Sequence, residues 1–265
     1  MCMPTASCLT PRPANCSLPC FTREARHAAG GQFRSAGHND ARLLYHPLLF
    51  GHGSTLLDVG SSEGVDLVNF MRKREDNARS LGRAAPVTVH AFEPVGKARQ
   101  KLANAVATWS GSIHIHDFGL GSSNRTTCFA TSGITAHEVT TAQSCSSAAS
   151  GHVFERVRIV DITAAVQPHH QIELLHVNCE GCEVELLRRL LPDPAARRVA
   201  AIELQPHHQI FYKNGMTDDG YCDLEQRLRA AGFRLLYRFP FVWEAWAREK
   251  DYWRLRRGLN REHII

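Results

Sequence analysis

From about residue 54 onward, short apolar runs alternate with stretches in which apolar residues have a helical spacing. STLLDVG is followed by SEGVDLVNFMRKRE, VTVHAFEP by GKARQKLANAVATW, and IELLHVNCEG by CEVELLRRLL. Apolar strands without strict alternation, each followed by a helix, indicate a mostly parallel sheet with helices on both faces. The last apolar stretch, RLLYRFPFVWEAWA, predicts a closing antiparallel hairpin.

The 265 residues suffice for one large domain with appendages. We predict the domain over residues 38–247, an N-terminal extension over 1–37 and a basic tail over 248–265. The extension has one acidic residue, Glu24, among several Arg and Ser, which is typical of a transit peptide or of a disordered terminus. No apolar run approaches the ~18 residues that cross a bilayer. We therefore expect a soluble protein and not an integral membrane protein. Its expected compartment is the cytoplasm, or an organelle if the N-terminus is a transit peptide.

The nine cysteines are unevenly placed, and four of them lie in the first twenty residues. An odd number without regular spacing is not typical of a disulfide framework, which characterises small secreted chains. Cys179 and Cys182 form a lone CxxC in CEGC. A core-packing role is therefore favoured for this pair over a zinc or redox role.

The ends of the first three strands carry candidate ligand-binding residues. DVGSSEG contains Gly60 and Gly64, and glycine permits a tight turn and close approach of the backbone to a ligand. The spacing is not the G-x-G-x-x-G of dinucleotide enzymes. Glu93 follows the second strand, where a carboxylate can accept hydrogen bonds from both ribose hydroxyls. Asp117 follows the third strand and could face an adenine or cap a turn.

Polar residues also follow the later strands. LLHVNCEGCEVELL contributes Asn178, Glu180 and Glu183, and IELQPHH contributes Glu203, His207 and His208. Glu180 could accept a proton, or it could stabilise the start of a helix as a first-turn acid. A histidine at this edge could act as a base, or pair with Glu203 to bind a cation. No H-x-x-E-H or comparable spacing is present, so we predict no metal site.

In this order, LLDVGSSEG, VHAFEP, IHDFGLGSSNRTTCF, VRIVDI, IELLHVNCEGCEVELLRRL and VAAIELQ resemble the FkbM-type methyltransferase family. The resemblance covers roughly residues 54–240. It implies a Rossmann-like class I methyltransferase fold with a mostly parallel seven-stranded sheet and S-adenosyl-L-methionine as cofactor. It also implies O-methylation of a hydroxyl on a sugar or another small-molecule or glycan acceptor.

The resemblance also implies residue roles. Asp58 and Gly60 would hold the methionine end of the cofactor, Glu93 the ribose and Asp117 the adenine edge, while Asn178, Glu180 and Glu183 would lie where the methyl group is transferred. Together with the reasoning from the strand ends, it predicts cofactor-binding residues Asp58, Gly60, Ser61, Gly64, Glu93 and Asp117, and catalytic residues Glu180, Asn178 and His207.

Two positions depart from the family's signature lKiDvEGaE, because its lysine is His176 here and its aspartate is Asn178. Asparagine can neither act as a base nor carry charge. The alternative is therefore a methyltransferase-like fold kept for binding or scaffolding.

Other functions fit the sequence less well. A nicotinamide dehydrogenase is disfavoured by the glycine spacing, and the chain has no Tyr-x-x-x-Lys pair. A base-directed nucleic-acid methyltransferase ordinarily has NPPY or DPPY where this chain has NCEG, so we expect no nucleic-acid substrate. A third option is a basic adaptor that uses RLRRGLNREH on acidic partners, with strongly salt-dependent binding.

Overall fold

The computed structural model describes residues 16, 42–45, 54–81, 86–132, 135–138, 145, 153–207, 216–239 and 242–256. The strands in these ranges are, in chain order, β1 Ser54–Val59, β2 Val87–Phe92, β3 Ile113–His116, β4 Gly119–Gly121, β5 Arg125–Ser132, β6 Thr135–Glu138, β7 Val153–Asp161, β8 Ile172–Val177, β9 Val199–Leu204, β10 Phe233–Phe239 and β11 Trp243–Arg248. The α-helices are α1 Val65–Leu81, α2 Gly96–Ala105, α3 Ile162–Val166, α4 Glu183–Leu190, α5 Asp218–Ala230 and α6 Glu249–Arg256. Short 3-10 helices cover Leu43–Tyr45, Ala107–Trp109 and Pro194–Arg198.

The main sheet has seven strands in the order β10-β11-β9-β8-β1-β2-β3. Its neighbours are parallel except that β11 is antiparallel to both β9 and β10. Six strands are parallel, and the last of them in the chain, β10, forms a hairpin with the antiparallel β11. Together with the reversal of strand order between β1 and β8, this is the Rossmann-like class I methyltransferase fold. The predicted fold class is therefore confirmed, and the point of reversal is where such sheets bind ligands.

The sheet is buried on both faces, which explains why its strands are continuous apolar runs. In β1, Leu57 and Val59 belong to one core cluster, whereas Leu56 belongs to the other. The first cluster includes the apolar face of α4, and the second includes residues of α1 and α6. Because side chains alternate along a strand, one residue of register decides which core a side chain enters.

A smaller sheet, with strand order β4-β7-β5-β6, follows β3. Strands β5 and β7 have the sequences RTTCFATS and VFERVRIVD, and they pair antiparallel. Their assembly into a separate sheet was not predicted. The reason is that strand patterns identify elements but not their long-range partners.

The structure corrects the expectation for the cysteines. Disulfides join Cys16 to Cys222, Cys128 to Cys145, and Cys179 to Cys182. Their Cα–Cα distances of 5.2, 5.8 and 5.5 Å are ordinary for disulfides. The expectation was wrong because the first pair is 206 residues apart in sequence, a proximity that only the fold creates.

Helix α6 lies in the first half of the segment predicted as a basic tail. Its Tyr252 and Leu255 are buried in the core cluster that also contains Leu56. The proposed domain limits stay a prediction. Among the helices of the described residues, none is both long enough and apolar enough to span a membrane.

Candidate active site

Gly60, in the loop from β1 to α1, has a positive φ of 82°. A Cβ there would collide with the carbonyl group of Asn178 and lie 2.9 Å from the Cα of Cys179. The amide of Gly60 donates to the carbonyl of Phe92 at 3.1 Å. Gly60 is therefore required for the close passage of two main chains, those of the loops after β1 and β8. Its predicted contact with a cofactor remains a prediction.

Gly64 has a φ of 86°, and a Cβ there would lie 2.6 Å from the Cδ1 atom of Leu102. This glycine thus lets the start of α1 pack against α2. Ser61 is buried and its hydroxyl donates to the main-chain carbonyl of Asp58 at 3.0 Å, which fixes the loop between them.

Asp58, His176 and Glu203 are direct neighbours across three adjacent parallel strands. The Oδ1 atom of Asp58 lies 2.5 Å from the Nδ1 atom of His176. Among the described residues, the buried Oδ2 atom of Asp58 has no hydrogen-bond partner. One carboxylate oxygen of Asp58 is thus engaged by the sheet, and the other is left for a further donor.

Arg42 lies over this row of side chains and is only 2% exposed. Its Nη2 atom is 2.6 Å from Nε2 of His176, and its Nε atom donates to Glu203 at 3.0 Å. Because a guanidinium can only donate, Nε2 of His176 accepts and Nδ1 carries the proton that is donated to Asp58. His176 is therefore a neutral imidazole in a fixed tautomer.

Arg42 also pairs with Asp66 at 2.8 Å, and its guanidinium stacks over the ring of Trp243 at 3.6 Å. Burial opposes the charge of Arg42, but the carboxylates of Glu203 and Asp66 outweigh burial and raise the pKa of Arg42 above its ordinary value. The sequence reasoning missed Arg42, which precedes β1 without any motif. It also placed Glu203 with the histidines after β9, whereas its carboxylate faces Arg42.

Glu93 is 6% exposed and links the loops after β1 and β2. Its Oε2 atom accepts from the amide of Ser62 at 2.8 Å, and its Oε1 atom accepts from the amide of Val95 at 2.9 Å. Burial raises the pKa of Glu93, and the two amide donors partly offset that effect. Each carboxylate oxygen keeps a second lone pair that could accept from another donor.

Asp117 directly follows β3, next to His116, whose carbonyl accepts from the amide of Glu93 at 3.3 Å. The side chain of Asp117 is 68% exposed and pairs with Arg158 at 3.1 Å. Such an exposed pair contributes little to stability. The structure therefore gives Asp117 a surface ion pair, and its predicted place near the adenine remains a prediction.

Glu183, His207 and Glu180 form a chain of side chains after β8 and β9. His207 Nδ1 lies 2.5 Å from Glu183 Oε1, and His207 Nε2 lies 3.6 Å from Glu180 Oε1. Glu183 and His207 are buried, whereas the side chain of Glu180 is 36% exposed. The buried end of this chain is fixed further by the amide of Cys179, which donates to Glu183 at 3.1 Å.

The charge state of His207 follows from these neighbours. Burial disfavours its charged form, but the carboxylates of Glu180 and Glu183 outweigh burial and raise the pKa of His207 to about 9. At neutral pH it is an imidazolium between two carboxylates. In this state His207 can orient a carboxylate, and its predicted catalytic role stays a prediction.

The loop after β8 brings Asn178 and Glu180 to the same place. The amide of Asn178 donates to the carbonyl of Val59 at 2.9 Å, which ties the loop to the end of β1. Glu180 has a φ of 56°, in the left-handed region that residues with a Cβ rarely adopt. Of the predicted residues, Gly60, Asn178, Glu180 and His207 are thus brought together, while Ser61 and Glu93 fix the adjoining loop.

His208 lies outside the described residues. Where the structure is described, no group of three or more His, Cys, Asp and Glu side chains is arranged to hold a metal ion.

No protein-family model matches the chain. No curated protein matches its sequence. Three solved structures illustrate what the fold is similar to. Aeropyrum pernix fibrillarin, solved with natively bound S-adenosyl-L-methionine, is 11% identical, with 81% of this chain and 75% of that chain covered and a TM-score of 0.42.

The second, a putative rRNA methylase from Clostridium thermocellum, is 8% identical, with 80% of this chain and 94% of that chain covered and a TM-score of 0.45. The third, a precorrin-6y C5,15-methyltransferase from Geobacter metallireducens GS-15, is 10% identical, with 81% and 73% covered and a TM-score of 0.35. Because these sequence identities and TM-scores are low, the assignment of the fold rests on the strand order and not on the similarity to these structures.

Proposed function

We propose that the chain is an S-adenosyl-L-methionine-dependent methyltransferase of the FkbM type that methylates a hydroxyl of a sugar or of another small-molecule or glycan acceptor. The observation that supports this most is the chain Glu183–His207–Glu180 at the carboxyl ends of β8 and β9. It adjoins the Gly60 loop at the point where the strand order reverses.

The residues present fit the cofactor. The free Oδ2 of buried Asp58 could accept a hydrogen bond from the ammonium group of the methionine moiety. Both oxygens of Glu93 have a remaining lone pair for a ribose hydroxyl. The cofactor supplies a methyl group already activated on a sulfonium, so the protein has mainly to align the acceptor and to remove its proton.

Glu180 is the proton acceptor in this proposal. It is the exposed member of the three side chains Glu183, His207 and Glu180, and its carboxylate can reach a substrate hydroxyl, whereas Glu183 is buried. His207 positions Glu180 through the imidazolium Nε2, and Glu183 fixes the ring of His207 through Nδ1. Asn178 could orient the acceptor by hydrogen bonding.

A binding or scaffold protein is the second candidate function. The observation that favours it is that Asp58 and Glu93 already have internal hydrogen-bond partners. In that function the same residues would stabilise the loops, and bound cofactor would not be turned over.

Calorimetry with S-adenosylmethionine and S-adenosylhomocysteine tests the cofactor. We expect micromolar binding by the wild type, weakened by about 1–3 kcal/mol in Glu93→Gln through loss of a charged acceptor. The matched control is Glu249→Gln, whose carboxylate is 63% exposed and lies beyond the end of the antiparallel β11, at the opposite edge of the sheet. Absence of binding by the wild type would contradict the methyltransferase proposal and leave the scaffold.

Transfer of a labelled methyl group to a panel of sugars, oligosaccharides, phenols, RNA and protein tests the acceptor. Labelling of a sugar or another small hydroxyl compound supports the proposal. Labelling confined to RNA or protein contradicts the proposed acceptor, and binding without transfer to any acceptor favours the scaffold.

A further inference from the structure

The disulfide between Cys179 and Cys182 closes a very short ring directly at the candidate active site. Only Glu180 and Gly181 separate the two cysteines, and both of these residues are exposed. The cysteines themselves are partly buried and pack against the core cluster that contains Leu186 and Leu187. A thiol in solution can therefore approach this disulfide from the side of Glu180 and Gly181.

The disulfide between Cys16 and Cys222 differs in the length of the loop that it closes and in the burial of one cysteine, Cys222, whereas Cys16 is partly buried like Cys179 and Cys182. Cys222 is 1% exposed, and the two cysteines are 206 residues apart, against a separation of 3 for Cys179 and Cys182. A long closed loop restricts the unfolded chain far more than a short one. Buried structural disulfides resist reduction, whereas exposed ones are labile or regulatory. The Cys16–Cys222 disulfide thus has the properties of a structural disulfide, and the Cys179–Cys182 disulfide has those of a labile one.

We propose that Cys179 and Cys182 are a redox-active couple that exchanges with an external dithiol and thereby controls the position of Glu180. Control of methyl transfer by this couple rests on the proposed function, whereas the exchange itself does not.

The exchange balances as an ordinary thiol–disulfide reaction. One thiolate of the external dithiol attacks Sγ of Cys179, a mixed disulfide forms, and Cys182 leaves as the thiolate and takes up a proton. Cys182 is the better leaving group because it is the N-cap of α4, where the helix dipole stabilises a thiolate. The second thiol of the reductant then displaces Cys179. The couple gains two electrons and two protons, and the reductant becomes a disulfide.

The position of Glu180 depends on the closed ring. Its left-handed φ of 56° is an uncommon conformation that persists only where the surroundings impose it. Here the ring bounds Glu180 on both sides, with Cys179 held by Glu183 and Cys182 by the start of α4. Opening of the ring allows Glu180 to return to a negative φ, which moves its carboxylate away from His207.

The experiment equilibrates the full-length protein with defined ratios of reduced and oxidised dithiothreitol, quenches with acid, alkylates the thiols and counts them by peptide mass spectrometry. We expect the Cys179–Cys182 peptide to convert reversibly while Cys16 and Cys222 stay joined and the protein stays folded by circular dichroism. The proposal is overturned if the Cys179–Cys182 disulfide opens only when the protein unfolds. It is also overturned if both cysteines are still free thiols, and so become alkylated, after equilibration in the most oxidising buffer.

A second measurement follows His207 by NMR pH titration in both redox states. We expect reduction to lower the pKa of His207, because Glu180 moves away, and the oxidised Glu180→Gln variant to show a similar fall that reduction does not increase. A pKa of His207 that is equal in the two states of the wild type overturns the control of Glu180. Neither measurement needs the cofactor. The redox proposal can therefore be supported even if the protein binds no cofactor, and it can be overturned even if the protein does bind it.

Discussion

The imidazole of His176 lies 2.5 Å from the carboxylate of Asp58, with its other nitrogen covered by the guanidinium of Arg42. The resemblance that suggested a methyltransferase has a lysine at position 176, and a second cation there would face Arg42. A neutral histidine instead lets three adjacent strands and the Leu43–Tyr45 turn share one buried polar network.

This network predicts a large effect of Arg42→Met. The substitution leaves Glu203 buried without its cation, and loss of one partner from a buried pair costs about 3–5 kcal/mol. Arg79→Met is the matched control, because Arg79 is 74% exposed in its pair with Asp76 and such pairs contribute less than about 1 kcal/mol. Urea denaturation monitored by circular dichroism measures both. Equal effects of the two substitutions would contradict the structural role of Arg42.

The pKa of His207 predicts a dependence of stability on pH. Because its folded value of about 9 lies above the ordinary value of about 6.5, its stabilisation is fully present below pH 6.5 and is lost as the pH rises through 9. The shift corresponds to about 3 kcal/mol. We expect the unfolding free energy of the wild type, relative to that of His207→Gln, to fall by this order between pH 6 and 10. A constant difference over this range would refute the raised pKa.

Alanine substitution at three glycines distinguishes the cost of a steric collision from the cost of backbone strain. In Gly60→Ala the new Cβ both collides with the loop after β8 and adopts a positive φ, so we expect a loss above about 3 kcal/mol. Gly181 has a φ of 116° with nothing within 4 Å of its Cβ, so Gly181→Ala should cost only the strain of about 1–3 kcal/mol. For Gly111→Ala, with open space and no positive φ, thermal unfolding should show little change. A different rank order would contradict the close passage at Gly60.

The two disulfides that close the longer loops should differ in their contribution to the free energy of unfolding. Loss of the Cys16–Cys222 link by Cys16→Ser should lower the unfolding free energy about 2 kcal/mol more than loss of the Cys128–Cys145 link by Cys145→Ser, because the closed loops differ in length. Guanidinium denaturation without reductant makes the comparison. Equal losses would show that loop length does not dominate here.

Local sequence patterns predicted much of this fold because each strand of the main sheet is an apolar run with a polar end. The runs ending at Gly60 and Glu93 became β1 and β2, and CEVELLRRLL became α4. The patterns did not reveal Arg42, whose partners belong to strands far along the chain. They also treated His207 as a candidate base, and only the fold brings Glu180 and Glu183 close enough to raise the pKa of His207.

The link between Cys16 and Cys222 turns the polypeptide from 16 to 222 into a covalent lasso. A protease that cuts once inside the lasso produces fragments that migrate together until a reductant separates them. The same holds for removal of residues 1–37 as a transit peptide, because the released piece would stay fastened to α5 through Cys222. Maturation of this chain would then be visible only after reduction.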